Sequence, residues 1–443
     1  MRVNRRAFLR TGAGSAALLL SHPAWCVTKD DAQLTDSDII AQAGPRIERY
    51  RKGDGVVSVR DARGKAVPGT KVTVEQLRHD FLFGSNFFMF GRCGSAEREE
   101  QYRQRFVALL NYCTLPFYWA SFEQQQGKPN YEYIDGVAAW TREHGITCKG
   151  HPLVWDHPAS SPAWLTDDPK ANERLSLARV RAIVSRYRGR IDIWDVVNES
   201  THLANKLHKT KMAAWAGALG AVPYVTESLD AARAANPEAT LLVNDYRIDP
   251  PYYHILERLR RHGKFLFDVV GIQSHMHDGV WPLHKVWSVC DTYAKLGRPL
   301  HFTESTIVSG PRKGPGENWG ATTPDGEARQ AELTASFYTA LFAHPAVQAI
   351  TWWDFTDLGA WQGAAAGWLR ADMSPKPVYD RLLGLVKGQW WTKTEATTDA
   401  HGKVKLRAFY GTYRLTAQSP AGQPVVKEVH WQKDAKNHFQ LTA

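Results

Sequence analysis

The chain has 443 residues, of which 43% are hydrophobic and 23% charged, and this composition excludes a disordered, collagen-like or coiled-coil protein. Its length allows one domain of roughly 250 to 300 residues together with smaller additions. The formal net charge of +10 suggests an acidic partner. However, the chain contains no Lys/Arg run with interleaved aromatic residues, so we do not expect nucleic acid to be a partner.

The N-terminal segment predicts an export signal. Residues 1–26 contain the arginine pair Arg5-Arg6 and no acidic residue, and an apolar stretch covers 12–20. We interpret residues 1–26 as a twin-arginine export signal. The apolar stretch is too short to cross a bilayer core of about 30 Å. We therefore expect a mature protein without a membrane anchor that is periplasmic or secreted.

Residues 27–78 are expected to form an N-terminal extension with β-strands. Apolar and polar residues alternate over 55–77, with a turn at 61–64. A similar alternation over 388–443 predicts a C-terminal β-rich module. The pattern leaves two arrangements open: two small modules, or one β-sandwich assembled from both ends of the chain. It also leaves open whether the tryptophans of the C-terminal segment bind sugar or only pack.

Between these flanks, residues 79–387 alternate eight times between strand-like and helix-like periodicity. The predicted strands cover 81–85, 112–117, 147–154, 191–198, 240–245, 269–274, 300–304 and 349–355. The predicted helices cover 96–110, 133–144, 177–187, 224–235, 254–262, 284–296, 327–343 and 378–386. This alternation favours an α/β fold, namely a (β/α)8 TIM barrel with a small β-rich accessory region formed by the flanks.

Two carboxylates stand out at the ends of predicted strands, where TIM barrels carry their catalytic groups. Glu199 ends the fourth strand in Trp194-Asp195-Val196-Val197-Asn198-Glu199, and Glu304 ends the seventh in His301-Phe302-Thr303-Glu304. Two carboxylates facing each other across a barrel mouth suit glycoside hydrolysis, which needs a proton donor and a second carboxylate at the anomeric carbon. One must be protonated while the other is charged, which burial and mutual repulsion can achieve.

The sequence carries several short motifs whose order along the chain resembles that of glycoside hydrolase family 10, whose best-known members are endo-1,4-β-xylanases. The resemblance spans roughly 81–385. It rests on Phe83-Gly84-Ser85, Trp119 with Glu123 and Gly127, Gly150-His151-Pro152-Leu153-Val154-Trp155, Trp194 to Glu199, Asn244-Asp245-Tyr246, Gly271-Ile272-Gln273-Ser274-His275, Thr303-Glu304 and the segment 353–361.

The resemblance implies a role for each matching residue. Glu199 would be the acid/base and Glu304 the nucleophile of a retaining double displacement. The implied substrate-binding residues are Asn198 at the 2-hydroxyl of the reacting sugar, His275 beside the nucleophile, Gln273 and His151 at sugar hydroxyls, and Trp155, Trp353 and Trp361 around the central subsite. It implies a carbohydrate substrate, no cofactor and no metal, and we expect a monomer.

Some positions depart from the family pattern. The family commonly has a Lys where this chain has Tyr118, with polar residues just upstream where this chain has Leu115. We expect Tyr118 to line the subsite next to the central one, on the non-reducing side, without binding sugar hydroxyls as the Lys would. Linear xylan is therefore expected to be a poorer substrate than a decorated xylan, another polysaccharide or a short glycoside. The exact sugar, the linkage, and endo or exo action stay open.

Two other functions remain as alternatives. A metal-assisted hydrolase is suggested by the histidines and carboxylates of the predicted site, with His277, His157 and Asp156 added. No Cys-x-x-Cys or His-x-x-x-His spacing supports it. A non-catalytic carbohydrate-binding barrel is the other alternative, although a pure binder has no need for two opposed carboxylates. The cysteines that follow the signal are expected to be buried free thiols.

Overall fold

The computed structural model describes residues 34–205, 207–314, 319–418 and 423–443. The predicted export signal lies outside these described residues. Within them, no helix is both long enough and apolar enough to cross a membrane. Cys93, Cys113, Cys148 and Cys290 are buried free thiols, as expected.

Eight parallel strands form a closed barrel in which each strand pairs with its sequence neighbours and the last pairs with the first. We number them β1 to β8: Leu82–Asn86, Tyr112–Pro116, Thr147–His151, Ile193–Asn198, Thr240–Asp245, Val269–Ile272, Leu300–Ile307 and Val347–Trp352. Such strands are covered on both faces, which explains their apolar runs. The predicted TIM barrel is confirmed.

One main helix follows each strand. These helices, α1 to α8, are Ala96–Leu109, Tyr131–Glu143, Pro169–Tyr187, Ala221–Ala235, Pro250–Arg258, Leu283–Ala294, Pro324–Ala343 and Pro377–Gly384. Proline at the first helical position begins four of them, where its missing N–H costs nothing. Side chains such as Ser95 and Thr323 accept backbone hydrogen bonds and cap the starts of α1 and α7.

Shorter elements complete the loops. Val154–Trp155 pairs with β4 and His275–Met276 pairs with β7, so both extend the barrel towards its C-terminal face. The others are Trp119–Phe122, Pro158–Ser160, His202–Asn205, Lys211–Leu219, Trp361–Gly363 and Leu385–Gln389.

The helix predicted over 254–262 is wrong at both ends. The structure has α5 at Pro250–Arg258, followed by a hairpin of Arg260–Arg261 and Lys264–Phe265. Two prolines begin the helix early. His262 and Gly263 then adopt positive φ values of 50° and 76°, which form the turn of the hairpin.

The two flanks form one β-sandwich. Lys52–Arg60 pairs with Lys403–Phe409 and Asn437–Thr442 in one sheet. Lys71–His79 pairs with Lys393–Thr397 and Gly411–Gln418 in the other, and Pro424–Trp431 completes that sheet. Of the two arrangements that the sequence left open, the structure therefore has the single sandwich. Trp431 lies fully buried in its core and Trp390 is buried against the barrel, so both tryptophans pack.

A helix at Asp36–Arg51, which the sequence analysis did not predict, precedes the sandwich. It buries Ile39, Ala43 and Ile47 against α6 and α7. At its end, the Arg51 guanidinium donates to the carbonyl oxygens of Phe342 and His344 at 2.6 Å each. The N-terminal flank is thereby anchored to the barrel at the end opposite the carboxyl ends of the strands, away from the candidate site.

Candidate active site

Amide side chains connect the two predicted catalytic glutamates. Glu199 directly follows β4, and Glu304 lies within β7. Gln273 Nε2, just after β6, donates to Glu199 Oε1 at 2.9 Å and to Asn198 Oδ1 at 3.2 Å. Asn244 Nδ2, on β5, donates to Asn198 Oδ1 at 2.8 Å and to Glu304 Oε1 at 2.7 Å. Four neighbouring strands therefore contribute to one hydrogen-bonded centre.

The surroundings of Glu304 favour an ionised carboxylate. It is 4% exposed, and His275 Nε2 lies 3.1 Å from its Oε2 atom. Burial raises the pKa of Glu304, but the imidazoles of His151 and His275 and the ammonium group of Lys149 outweigh burial and hold that pKa below its usual value. A buried anion stabilised in this way is well suited to act as a nucleophile.

The network behind Glu304 fixes the orientation of His151. Lys149 and His151 are alternate residues of β3 and share one face of that strand. Asp195 Oδ2, on β4, lies 2.8 Å from His151 Nδ1 and 2.6 Å from Lys149 Nζ. Because Nδ1 then carries a proton for Asp195, His151 Nε2 is left to face Glu304 at 3.9 Å. Sequence reasoning missed Lys149, whose alternation with His151 was the available signal.

The pKa of Glu199 is shifted in the opposite direction to that of Glu304. Burial raises its pKa to about 7, against the lowering effects of His202 and the Gln273 hydrogen bond, while the charges of Glu304 and Asp245 raise it further. Trp155 Nε1 donates to Glu199 Oε2 at 2.9 Å, which orients the carboxyl group. The Glu199 backbone also has a positive φ of 57°, a costly conformation that concentrates at functional sites. A carboxyl group with a pKa near neutrality can both donate and accept a proton.

His202, which the sequence analysis did not single out, bridges Glu199 and Asp156. Its Nε2 lies 3.1 Å from Glu199 Oε2, and its Nδ1 lies 3.2 Å from Asp156 Oδ1. Burial alone would lower the pKa of His202, but the Asp156 hydrogen bond and the charge of Glu199 raise it above its usual value. The surroundings of His202 therefore favour its positively charged form beside Glu199.

Replacement of His202 by Gln is expected to move the alkaline limb of the pH–rate profile to higher pH by about one unit. If Glu199 is the acid, we expect the parent to lose activity as Glu199 deprotonates, near its pKa of about 7. Removing a positive charge that lowers this pKa keeps Glu199 protonated to higher pH. The measurement is kcat/KM against pH, with His254→Gln, an exposed position on α5, as the matched control. An unchanged limb, or one that moves to lower pH, would contradict the assigned coupling.

Aromatic side chains surround this centre. The Trp353 ring centroid lies 5.3 Å from that of His151 and 5.8 Å from that of His275. Trp361 lies 4.5 Å from His275 and is 44% exposed. Tyr118 lies 5.6 Å from His151 and 6.1 Å from Trp155. All the predicted substrate-binding residues thus gather around the two glutamates.

Of the two departures from the family pattern, only Tyr118 belongs to this aromatic surround. Leu115 is fully buried in the hydrophobic core of the barrel. The predicted change in substrate recognition therefore depends on Tyr118.

The described residues contain one group that could hold a metal ion: Asp156, His202 and His208, whose ligand atoms lie within 4.8 Å of one another. The set predicted for a metal-assisted hydrolase does not form such a group there. Asp156 and His202 are already hydrogen-bonded to each other. His202 in turn contacts Glu199, so this group is part of the surroundings of that carboxyl group.

A parallel barrel with two buried carboxyl groups of opposite pKa shift at its mouth is the arrangement that glycoside hydrolases use. Residues 83–384 match the model of glycosyl hydrolase family 10, and the chain belongs to this family. The resemblance seen in the sequence is confirmed.

Relatives of known sequence support this membership. The chain is 26% identical over 397 residues to the anti-sigma-I factor RsgI6 of Acetivibrio thermocellus, an alignment that covers 86% of this chain and 47% of that protein. It is 27% identical over 284 residues to endo-1,4-beta-xylanase B of Thermotoga neapolitana, covering 61% of this chain and 78% of that protein. The chain spans about half the length of the first of these relatives.

Solved structures share the fold. Native xylanase 10B from Thermotoga maritima superposes with a TM-score of 0.58 at 22% identity, covering 70% of this chain and 96% of that chain. The GH10 structure from Paenibacillus barcinonensis gives a TM-score of 0.59 at 19% identity, covering 70% of this chain and 96% of that chain. At these identities the likeness concerns the fold alone.

Proposed function

We propose that the protein is a retaining glycoside hydrolase that cleaves β-glycosidic bonds in a xylan-like plant or microbial polysaccharide. The observation that carries the proposal is the pair of opposite pKa shifts, raised to about 7 at Glu199 and lowered at Glu304, in two carboxyl groups joined through Asn198, Asn244 and Gln273. Carboxyl groups whose environments separate their pKa values in this way serve as acid and nucleophile.

The reaction has two steps. In the first, Glu304 attacks the anomeric carbon while Glu199 donates its proton to the leaving glycosidic oxygen, so that a covalent glycosyl-enzyme forms. In the second, Glu199, now a carboxylate, takes a proton from water, and the resulting hydroxide attacks the anomeric carbon and releases Glu304. Each glutamate ends in its starting state, and the sugar keeps its anomeric configuration.

Asn198 is well placed to bind a sugar hydroxyl. Its Oδ1 already accepts hydrogen bonds from Asn244 and Gln273, which fixes the orientation of the amide. Its Nδ2 group is therefore left as a donor with no partner among the described residues. In the proposal this donor meets the 2-hydroxyl of the reacting sugar, where hydrogen bonds strengthen in the transition state.

The remaining predicted residues form the proposed central subsite. His151 and Gln273 meet hydroxyls of the central sugar, and the rings of Trp155, Trp353 and Trp361 pack on its C–H faces. His275 hydrogen-bonds to the nucleophile and helps to keep it ionised. The name of the Thermotoga neapolitana relative, an endo-1,4-beta-xylanase, supports a xylan-like backbone. Tyr118 favours a decorated glycan over a linear one, because its aromatic ring stands where the family commonly has a lysine that hydrogen-bonds to sugar hydroxyls.

We also propose that residues 1–26 export the enzyme to the periplasm or beyond, and that it acts as a monomer without a cofactor. The proposed division into 27–78, 79–387 and 388–443 follows the change from β-rich to barrel periodicity. The pairing of strands from both flanks in one sandwich means that the first and last of these regions act as one accessory unit.

The test is incubation of the purified protein with linear and decorated xylans, glucans and aryl glycosides, followed by identification of the released sugars. We expect sugar release from a decorated xylan or a related polysaccharide, with a lower rate on linear xylan. Binding of these glycans without release of sugar would favour the non-catalytic barrel. Activity that a chelator abolishes and zinc or manganese restores would favour the metal-assisted hydrolase.

A further inference from the structure

A cavity of about 450 Å³ opens beside the catalytic centre. Its size is within the range of small-molecule sites. It is lined by His275 and Trp361 together with His277, Trp281, Lys285 and Gln362. His275 contacts Glu304 and Trp361 packs on His275, so the cavity shares two lining residues with the proposed central subsite and adjoins it. A group attached to the bound glycan can therefore reach it.

Two imidazole nitrogens in this wall lack partners. His275 Nε2 donates to Glu304, which leaves His275 Nδ1 buried and without a hydrogen-bond partner in the described parts of the chain. The Thr306 hydroxyl accepts from the backbone N–H of Met276 and lies 3.2 Å from His277 Nδ1. Among the hydrogen bonds of the described residues, His277 Nδ1 is the one acceptor for the Thr306 hydroxyl proton, so we assign the ring proton of His277 to Nε2.

His277 Nε2 is also buried and unpartnered among the described residues. The two rings lie 5.6 Å apart. The wall therefore offers two ring nitrogens without partners, His275 Nδ1 and the protonated His277 Nε2, to a ligand that supplies both a hydroxyl group and a second oxygen.

The charge of the cavity favours an anion. Lys285 lies at its exposed rim with its Nζ 4.7 Å from the Trp281 ring centroid, and none of the described carboxylates forms an ion pair with it. The one acidic lining residue, Asp278, is already ion-paired with Arg312. The cavity therefore presents one uncompensated ammonium group next to a neutral imidazole donor.

Aromatic side chains supply an apolar surface in the same cavity. Trp361 is 44% exposed, and its ring stands at 82° to that of His277. The Trp281 backbone N–H donates to the Met276 sulfur at 3.3 Å, which holds this second indole in place. Indole faces pack well on the C–H groups of a sugar ring. A ligand that combines a C–H face, hydroxyl groups and a carboxylate is a uronic acid.

We propose that this cavity binds a uronic acid branch of the glycan, with its carboxylate at Lys285 and His277 Nε2, a hydroxyl at His275 Nδ1 and its ring against Trp361. The inference rests on the proposed function, since it names the decoration that the enzyme recognises. It assigns substrate selection to the loop after β6, to Lys285 at the start of α6 and to Trp361 after β8.

The experiment measures binding by calorimetry in the full chain carrying Glu199→Gln, which slows turnover and leaves the His275–Glu304 contact in place. The probes are a xylo-oligosaccharide with one glucuronic acid branch and the same compound with that carboxyl group reduced to an alcohol. We expect the acidic probe to bind about tenfold more tightly, a difference typical of a charge-assisted hydrogen bond. Lys285→Gln should remove this preference, and Lys285→Arg should restore it.

Lys295→Gln is the matched control, because Lys295 caps the same helix and does not line the cavity. It should retain the tenfold preference. Equal affinity for the two probes, or an equal loss of preference in both Gln variants, would overturn the inference. So would binding of free phosphate that is as tight as binding of the acidic probe and equally sensitive to Lys285→Gln, since the cavity would then be a general anion site.

The outcomes separate this inference from the proposed function. Preferential binding of the acidic probe, together with a parent protein that releases no sugar from any glycan, would refute the proposed hydrolase and retain the cavity assignment. Cleavage of both probes by the parent, together with equal affinity of the Glu199→Gln protein for the two probes, would refute the cavity assignment and retain the hydrolase.

Discussion

Glu304→Gln is expected to lower kcat on every glycoside by about 10⁴-fold or more, the scale seen when a catalytic nucleophile is removed. The amide has the size of the carboxylate but cannot attack the anomeric carbon. An activated aryl glycoside does not rescue this variant, because its good leaving group removes the need for an acid and not the need for a nucleophile. Initial rates on an aryl glycoside and on a glycan measure the effect.

The loss of activity in Glu304→Gln must be distinguished from unfolding of the variant. Asn244 and His275 hydrogen-bond to the Glu304 carboxylate, and a Gln oxygen can still accept from His275. We therefore expect circular dichroism spectra like those of the parent. Glu332→Gln, on the exposed side of α7, is the matched control and should keep full activity. Near-normal turnover by Glu304→Gln would show that Glu304 is not the nucleophile.

Glu199→Gln is expected to have an effect that depends on the leaving group. On a glycan, whose leaving oxygen needs a proton, kcat/KM should fall about 10³-fold, within the usual range for a general acid. On a dinitrophenyl glycoside the first step should stay close to normal, because that leaving group departs without a proton. The second step still lacks its base, so a burst of phenol followed by slow turnover is expected in stopped-flow absorbance.

Azide provides a second readout for Glu199→Gln. It is a nucleophile that needs no base, so it should release the accumulated glycosyl-enzyme and yield a glycosyl azide of retained configuration. The alkaline limb near pH 7 should also disappear, because the group with a pKa of about 7 is gone. Equal losses on the glycan and the aryl glycoside, with no effect of azide, would contradict the assignment of Glu199.

The barrel and its two glutamates could be predicted because their signals are local. Strands buried on both faces give short uninterrupted apolar runs, and parallel strands place their ends on one face. The motif around Trp194 to Glu199 then marks one carboxylate, and the motif before Glu304 marks the other. Trp194 is a packing residue because Gly150, on the neighbouring strand, leaves room for its ring: a Cβ at Gly150 would lie 2.2 Å from it.

The missed features depend on contacts between distant parts of the chain. The Asp36–Arg51 helix carries its buried residues at every fourth position, a signal that the neighbouring β-like alternation obscured. Its partner residues on α7 lie almost 300 positions away in sequence. The pairing of Lys52–Arg60 with Asn437–Thr442 is equally remote, so the alternation alone could not distinguish one sandwich from two modules.

Within the site, the sequence predicted the residues that we propose to meet the sugar, but not His202 and Lys149, which shift the pKa values of the two glutamates. His202 reaches Glu199 because residues three apart come together in the turn after β4. Asp156 becomes its partner only because a neighbouring loop folds against that turn. The sequence analysis named Asp156 only among the residues of the metal-assisted alternative. Its effect on the proton donor becomes visible only in three dimensions.

The anomeric configuration of the first product, followed by proton NMR within minutes of adding enzyme, tests the central claim most directly. A retaining enzyme in which Glu304 forms a covalent intermediate must release the β-anomer first from a β-linked glycan, with the α-anomer appearing later by mutarotation. Initial release of the α-anomer would show a single inverting displacement by water, and would contradict the roles assigned to Glu304 and Glu199.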